Sequence, residues 1–449
     1  MMLAAFLTTF VVWLIIALRS IVARKRIIGL NLFVLLGIYV PIGFYHLGWS
    51  LYVDLDVSDK FYLIFAILNV CLIFYNLLVK DGCVFDISVL PSTVSEQFVL
   101  FASAVYVLLF GIESYLGSGS FAPALKGSDI HTYSAPIIAF VTRSLYAFAI
   151  MNFLAYTATK RKRFLLIIVI LIALPVVTRN MRITSTIALV QVVSFAGSYY
   201  ASTWNGSSNL NLLRNARNAV QRKKLAIMVV IIAIVAFVGG AAYMTNDRMS
   251  HYGRYDLKYS TEIKYTGPDF MSDVVSVYYG YFPLSFNNLN LSLKYGEVEH
   301  NYVGLYSYKS LYFGILQWDN VFGLNPTEPE EPDHRVSSSP SANVATAFWD
   351  YWYDYGYFCL IPLAAMVTIC GWITRRLQKR PTLLLLTQYY YFIPLVFFQS
   401  FQNVFFGAET LVQIAVVAVL IFFGFPQSFR TCRHTFKGDL GTPVLRRAQ

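Results

Sequence analysis

Long runs of apolar residues, separated by short polar turns, dominate this chain. A bilayer core about 30 Å thick is crossed by roughly 20 apolar residues in a helix, and runs of that length recur along the sequence. The first run has no basic region before it and no small-residue cleavage site after it, so we interpret it as a span rather than a signal peptide. The pattern predicts an all-α polytopic membrane protein with about eleven transmembrane helices, at residues 3–20, 27–49, 61–79, 97–116, 136–158, 164–178, 183–202, 225–243, 350–373, 381–401 and 411–427.

One long polar interruption separates the eighth and ninth runs. It divides the chain into helices 1–8 in residues 1–243, a large loop at 244–349, and helices 9–11 with a tail in 350–449. The middle of the loop, 325–341, is proline-rich and acidic and is expected to be mobile, whereas its apolar flanks predict helices lying on the membrane. Pumps, channels and flippases seldom need such a loop, and enzymes that act on lipid-linked sugars often have one.

The basic residues set the expected orientation. Alternate loops and the carboxyl-terminal tail hold 23 of the 35 lysines and arginines, and the positive-inside rule assigns those segments to the cytoplasm. The amino terminus and the large loop then lie outside. The net charge of +11 follows from this topology, so nucleic acid is not an expected partner.

No metal or cofactor is expected. The five cysteines have no metal-ligand spacing, and none lies in the large loop, which argues against a zinc site and a disulfide framework. Asp54 and Asp56 resemble the acidic pair of metal-dependent lipid-sugar transferases, but their loop is short and simply acidic. A metal-dependent transferase stays as an alternative that sensitivity to a chelator would reveal.

Arg179 and Arg182 follow an apolar run of fifteen residues, Phe164–Thr178, which as a helix extends only about 22 Å. Residues three apart share one face of a helix. Two guanidinium groups on one face suit a pyrophosphate, because each donates two parallel hydrogen bonds to phosphate oxygens. The alternative is that both side chains extend to lipid headgroups.

Arg143 lies about seven residues inside the fifth run. Charges within a membrane are costly and usually face a cavity or a partner. Glu113, near the outer end of the fourth run, is a plausible partner. A substrate role and an ion pair that locks two helices are equally compatible with this position.

A basic strip rich in tyrosine follows the eighth run. Arg248, Arg254 and His251 belong to it. Arginine can bind phosphate, and aromatic faces can stack on sugar rings, so the strip suits an anionic lipid-linked sugar. An ordinary stretch facing solvent or headgroups is the alternative.

The end of the large loop reads ANVATAFWDYWYDYG from Ala342 to Gly356. It resembles a stretch of the bacterial oligosaccharide repeat-unit polymerases, the Wzy-type O-antigen polymerases, in which an Asn and a Thr-x-Phe precede a Tyr-x-Asp-aromatic-Gly. The stretch Tyr278–Pro283, the arginines at the seventh run and the overall layout are also similar. Cys359 departs from the family, which often has a small glycine there.

The resemblance implies an inverting glycosyl transfer between undecaprenyl-pyrophosphate-linked glycans at the periplasmic face. Donor and acceptor glycans and membrane lipid are the implied partners, with a chain-length regulator protein left open. Arg179, Arg182 and Arg254 are the first candidates to bind pyrophosphate, followed by Arg143 and Arg248. The candidates for the base that activates the acceptor hydroxyl are Asp354 and then His251. For Asp354, the alternative is a residue at the start of a helix that faces water.

Two other functional classes share parts of this pattern. An O-antigen ligase has the same layout but should carry a histidine-bearing stretch before the ninth run, where this chain has Asp350 and Asp354. A flippase or transporter of lipid-linked oligosaccharides should show polar residues at the centre of many spans, and many transporters carry internal repeats. We see no internal repeat in this sequence.

Overall fold

The computed structural model describes residues 9, 11–16, 29–79, 89–123, 136–179, 182–205, 262–264, 268–296, 298, 300, 302–308, 336–337 and 346–425. These residues are mostly helical and form no strand; their only β feature is an isolated antiparallel bridge between Ser50 and Ile263. The helices are α1 (Leu30–His46), α2 (Asp59–Leu78), α3 (Glu96–Ser118), α4 (Pro136–Arg143), α5 (Leu145–Thr159), α6 (Arg163–Arg179), α7 (Arg182–Asn205), α8 (Asp269–Tyr281), α9 (Pro283–Tyr295), α10 (Ala347–Tyr355), α11 (Leu360–Lys379), α12 (Leu383–Leu395) and α13 (Ala408–Gly424).

Four helical stretches of the described residues are long and apolar enough to cross a membrane. The third of them comprises α10 and α11 with the 3-10 turn between them, and the fourth comprises α12 and the 3-10 turn that follows it. The predicted helical fold is thereby confirmed for the described residues, and their apolar helices fit a membrane protein. The count of eleven spans and the sidedness of the large loop stay predictions. The stretches are Asp59–Leu78, Glu96–Ser118, Ala347–Lys379 and Leu383–Ser400.

The structure differs from the predicted pattern at two places. The fifth run is not one continuous helix, because α4 ends at Arg143 and α5 begins at Leu145. In the large loop, α9 packs inside the protein, with ten of its 13 residues buried, rather than along a membrane surface. The eighth run, 225–243, lies outside the described residues, as does 325–341 apart from residues 336–337.

The contacts divide the chain into two compact units, each of which is built from several separate segments. Unit 1 comprises Met1–Asp81, Tyr200–Gly371 and Ile393–Ala408, and unit 2 comprises Gly82–Tyr199, Trp372–Phe392 and Glu409–Gln449.

Buried aromatic side chains from three helices pack against one another in unit 1. The ring of Phe65 on α2 lies 5.1 Å from that of Phe348 on α10 and 5.8 Å from that of Phe286 on α9. Edge-to-face aromatic pairs of this kind stabilise by about 0.5–1.5 kcal/mol beyond the area they bury. This cluster fixes α9 and α10 against a membrane-type helix.

Gly37 allows the backbones of two segments of unit 1 to touch. A Cβ atom at this position would lie 2.4 Å from the Cα atom of Phe397, so no other residue fits without displacing a backbone. Gly37 lies in the π-helical turn Leu35–Tyr39 of α1. Such turns are often local adjustments at constrained places, and here the turn accompanies the contact with Val396–Ser400.

Ion pairs and backbone hydrogen bonds define one end of unit 2. The chain turns from α5 into α6 at Lys160, which has a φ of 57°. Glu96, the first residue of α3, binds Arg161 at 2.8 Å and also binds Arg163. The amide before α3 donates to the carbonyl of Gly424, the last residue of α13. We call this the turn end of unit 2.

Candidate functional site

Three of the predicted arginines lie at the opposite end of unit 2, at the same level, which means at about the same distance from the turn at Lys160. Helix α5 has 15 residues and α6 has 17, so Arg143 before α5 and Arg179 at the end of α6 each lie about 25 Å from the turn. Helix α7 begins at Arg182 and returns to the turn end, where Tyr199 accepts a hydrogen bond from Lys160 at 2.5 Å. We call this the arginine end. Arg179 and Arg182 therefore belong to two antiparallel helices, instead of sharing a face of one helix as predicted.

Helices α4 and α5 are two parts of one interrupted helix at the arginine end. Ser144 between them has a φ of −77° and a ψ of 35°. An interruption frees backbone groups that a lipid environment cannot satisfy. The side-chain amide of Gln413 on α13 donates to the carbonyl of Arg143 at 3.0 Å and accepts from the amide of Ala147 at 3.2 Å. The Ala147 amide also donates to the carbonyl of Ser144 at 3.0 Å, and the Gln413 side chain bonds to the backbone on both sides of the break.

Helix α3 supports the same break from another side. The hydroxyl of Tyr106 donates to the carbonyl of Thr142 at 2.8 Å. The hydroxyl of Thr142 in turn donates to the carboxylate of Glu113, which is only 2% exposed. The interruption is therefore held by named contacts from two helices and is part of the folded structure.

Arg143 forms an ion pair with Glu409, in the first turn of α13. Their side chains are 27% and 34% exposed, so the pair is covered in part and still accessible. The sequence named Glu113 as the partner, and the structure adds Glu409, which lies 266 positions further along the chain. A guanidinium with a replaceable carboxylate, at a break in a helix, is an arrangement that can bind an anion.

Asp354, the predicted base, is fully buried in unit 1. Its two carboxylate oxygens accept hydrogen bonds from the amides of Tyr306 at 3.1 Å and Ser307 at 2.6 Å. Its own carbonyl accepts from the amide of Tyr302 at 3.0 Å. Asp354 therefore anchors the segment Tyr302–Tyr308, which we call the 302–308 loop. Its role as a base stays a prediction.

A second set of side chains holds the 302–308 loop. The amide of Asn403 donates to the carbonyl of Ser307 at 2.8 Å. The hydroxyl of Tyr351 on α10 lies 2.7 Å from Oε1 of Gln399 and 3.2 Å from Oδ1 of Asn403. The loop is thus tied both to α10 and to the segment after α12.

Gly356 ends α10 in a conformation that only glycine adopts easily, with a φ of 52° and a ψ of −123°. A Cβ atom there would lie 2.6 Å from Nε2 of His300. The Nδ1 atom of His300 is 3.0 Å from the carbonyl oxygen of Tyr353. In the stretch that resembles the polymerases, Asp354 therefore anchors a loop, and Gly356 allows the close approach of His300.

Asp54 and Asp56 share one cation. The ammonium of Lys294 on α9 lies 2.8 Å from Asp54 and 2.9 Å from Asp56. A lysine between two carboxylates occupies the place that a metal ion needs, so the geometry favours an ion-pair cluster. Among the described residues, no group of three or more His, Cys, Asp or Glu side chains is arranged to hold a metal ion.

Two asparagines of α9, Asn287 and Asn290, fix the backbone of residues 52–58. The side chain of each asparagine accepts a hydrogen bond from one backbone amide and donates a hydrogen bond to one backbone carbonyl. Each side chain therefore pairs with this backbone as a residue of a neighbouring β-strand would. Their partners are the amides of Asp54 and Ser58 at 2.8 and 2.9 Å and the carbonyls of Tyr52 and Asp56 at 2.9 and 3.0 Å. We call this contact the asparagine clamp.

The cluster of Lys294 with Asp54 and Asp56 should make the stability of the protein depend on pH in the acidic range. Desolvation raises the pKa of the Asp54 carboxyl, but hydrogen bonds from Lys294 and from the Asp56 amide, with the ammonium charge, outweigh it, and the pKa falls below its ordinary 3.8. The native state therefore holds this carboxylate charged more easily than the unfolded chain does. The resulting stability, about 1 kcal/mol or less for a partly exposed pair, is present above pH 4 and disappears as the pH falls through the lowered pKa.

Thermal unfolding of the purified protein between pH 2.5 and pH 7 measures this effect. Asp54→Asn should remove part of the acid dependence, since its amide no longer titrates. Asp59→Asn, at the exposed start of α2, is the matched control. An acid dependence that is the same in Asp54→Asn as in the wild type would contradict the assignment.

Three residues with a role in these contacts were not predicted from the sequence: Glu409, Gln413 and Lys294. Glu409 and Gln413 were detectable in principle, because a carboxylate and an amide four residues apart at the start of an apolar run lie on one helix face. Lys294 gave no signal, since only the fold brings it to Asp54. Arg248, His251 and Arg254 lie outside the described residues, and at Arg179 and Arg182 the structure describes the helix ends only.

The fold and the arginine end define a mostly helical protein of membrane type, with a polar, charged break in one apolar helix. Comparison with protein families, with curated proteins and with solved structures finds no match.

Proposed function

We propose that the chain is a glycosyltransferase of the bacterial inner membrane that polymerises undecaprenyl-pyrophosphate-linked oligosaccharide repeat units. The observation that carries this proposal is the arginine end of unit 2, where Arg143, Arg179 and Arg182 lie at one level beside a broken helix. In the predicted orientation this end faces the periplasm, where lipid-linked repeat units are exposed. The resemblance of residues 342–356 to the repeat-unit polymerases gives independent support.

The proposed reaction transfers the growing glycan from its lipid carrier to a new unit. A hydroxyl oxygen of the acceptor sugar attacks the anomeric carbon of the donor, and the bond from that carbon to the pyrophosphate oxygen breaks with inversion. Negative charge develops on the leaving pyrophosphate, and arginine side chains stabilise such charge by paired hydrogen bonds. The proton of the hydroxyl passes to a base, for which Asp354 and His251 remain the candidates.

The buried position of Asp354 supports a role in holding the 302–308 loop at least as well as a role as base. A general base must come within hydrogen-bond reach of the proton it takes, and both of its oxygens accept from backbone amides. The loop that it anchors belongs to the large segment between the predicted eighth and ninth spans, where we propose that the sugars bind.

A flippase or transporter of the same lipid-linked glycans is the second candidate, and one observation favours it. Interrupted helices with their ends at a substrate are characteristic of secondary transporters, and α4 and α5 form such a helix. The large loop favours the enzyme over this alternative.

A surface-glycan gel of a host strain lacking the gene tests the proposal. We expect a ladder that collapses to core plus a single repeat unit, because units are still made and exported but no longer joined. Core alone, with lipid-linked polymer accumulating, would indicate a ligase, and core alone without polymer would indicate the transporter. A wild-type ladder would contradict all three assignments. The chain-length distribution after complementation also shows whether a separate regulator acts with the protein.

A further inference from the structure

We propose that Glu409 is a resident counter-ion of the arginine end, which holds Arg143 in place until a diphosphate replaces it. The inference rests on the proposed function, since it concerns the same anion site. It adds a residue of opposite charge that sets how tightly the site binds and prepares Arg143 for its ligand.

The accessibility of the ion pair allows such an exchange. With side chains 27% and 34% exposed, Arg143 and Glu409 are neither sealed in a core nor free in solvent. A fully buried pair would be too costly to separate, and a fully exposed pair would hold the guanidinium weakly. The observed pair can open toward solvent and still keep Arg143 oriented while no ligand is bound.

The break itself survives the loss of the ion pair. Gln413 lies one turn after Glu409 on the same face of α13 and holds the backbone on both sides of Ser144. Glu409 can therefore release Arg143 without freeing the backbone groups of the break. Separating this ion pair then leaves the backbone around the break organised, which lowers the cost of binding.

The charges at this end favour a ligand with several negative oxygens. Among the described residues of this end, three arginines (Arg143, Arg179 and Arg182) and two glutamates (Glu113 and Glu409) leave one net positive charge. The Glu113 carboxylate accepts a hydrogen bond from the Thr142 hydroxyl, whereas the Glu409 carboxylate forms an ion pair with Arg143. A diphosphate carries more charge and more acceptor oxygens than the single carboxylate, so it can displace Glu409 and also attract the other two arginines.

Binding of two probes to the full-length protein in detergent tests the proposal. Inorganic pyrophosphate carries the diphosphate alone, and farnesyl diphosphate carries it on a prenyl chain. Glu409→Gln removes the competing charge with little change in shape, so it should tighten binding of both probes by about tenfold, equivalent to about 1.4 kcal/mol. Tighter binding of farnesyl diphosphate by the wild type would identify a lipid headgroup as the ligand, and equal binding would identify a free diphosphate.

A double-mutant cycle and a matched control show whether the gain acts through Arg143. Arg143→Gln should weaken binding, and in the double variant Glu409→Gln should bring almost no gain. Glu96→Gln changes the same residue type in an arginine ion pair at the turn end and should leave affinity for farnesyl diphosphate within about twofold, the small effect of an exposed ion pair. All variants are compared by size-exclusion profile and thermal unfolding.

The inference is overturned if Glu409→Gln leaves affinity unchanged or lowers it in a folded protein. It is also overturned if the gain persists without Arg143, if Glu96→Gln gives the same gain, or if no form binds either probe. A failure here together with a collapsed glycan ladder in the deletion strain would leave the polymerase proposal standing. Tighter binding in Glu409→Gln together with a wild-type ladder would support the role of Glu409 and contradict the polymerase proposal.

Discussion

Replacing Arg179 and Arg182 by glutamine, singly and together, is expected to reduce glycan polymerisation by about 100-fold or more, because loss of one charged donor to a developing anion typically costs that much. Both residues lie at helix ends at the same level as Arg143. Glutamine keeps the length and polarity of the side chain but removes the charge. The measurement is the rate of chain growth on lipid-linked repeat units, with the glycan ladder of complemented cells as a second readout.

Arg161→Gln is the matched control for this experiment. It is an arginine of the same unit, but it lies at the turn end, binds Glu96 and has a side chain that is 59% exposed. Exposed ion pairs contribute little to stability, and this end faces the cytoplasm in the predicted orientation, so activity should stay within about twofold. An Arg182 variant that inserts normally and polymerises at the wild-type rate would rule out the assignment of pyrophosphate binding.

Asp354→Asn is expected to have the second large effect, a loss of about 2–4 kcal/mol of stability, because a buried amide NH₂ would face backbone N–H groups that now bind a carboxylate. Thermal unfolding and the fraction of folded protein after membrane extraction measure the loss. Asp350→Asn is the matched control. It removes the same charge one turn earlier on α10, at a side chain that is only partly buried.

The Asp354→Asn variant also shows whether Asp354 acts as the anchor of the 302–308 loop or as the catalytic base. If Asp354 anchors the 302–308 loop, activity should fall in step with the folded fraction, and the pH profile of the remaining activity should keep its shape. If Asp354 is the base, the Asn variant should be as stable as the wild type but at least about 100-fold slower. A variant that is both stable and fully active would contradict both roles.

The apolar runs predicted the described helices well because a span of about 20 apolar residues is a strong local signal. The runs 61–79 and 97–116 correspond closely to α2 and α3. The break at Ser144 was not predictable in this way, since nothing in the run 136–158 stops a helix. Gln413, which bonds to the backbone on both sides of the interruption, lies 266 positions after Ala147 in the sequence.

Part of the candidate site was visible in the sequence for a similar reason. Arg143 was recognised as a candidate because a charge within an apolar run is costly and usually has a partner or a function. Its pairing with Glu409 was not predictable, because two segments that are far apart in the sequence share no local pattern. For Asp354, the sequence left open a catalytic residue or a helix start facing water, and neither described a carboxylate buried against two backbone amides.

The asparagine clamp has a consequence for how this protein is made. Residues 52–58 emerge early from the ribosome, but the asparagine that holds Asp54 follows 233 positions later. At a synthesis rate of about 5–20 residues per second, the first part of unit 1 waits roughly 10–50 s for its partner. During that interval, its unpaired backbone groups and acidic side chains depend on water or on an insertion factor. Synthesis interrupted before α9 should therefore leave a fragment that quality-control proteases can recognise.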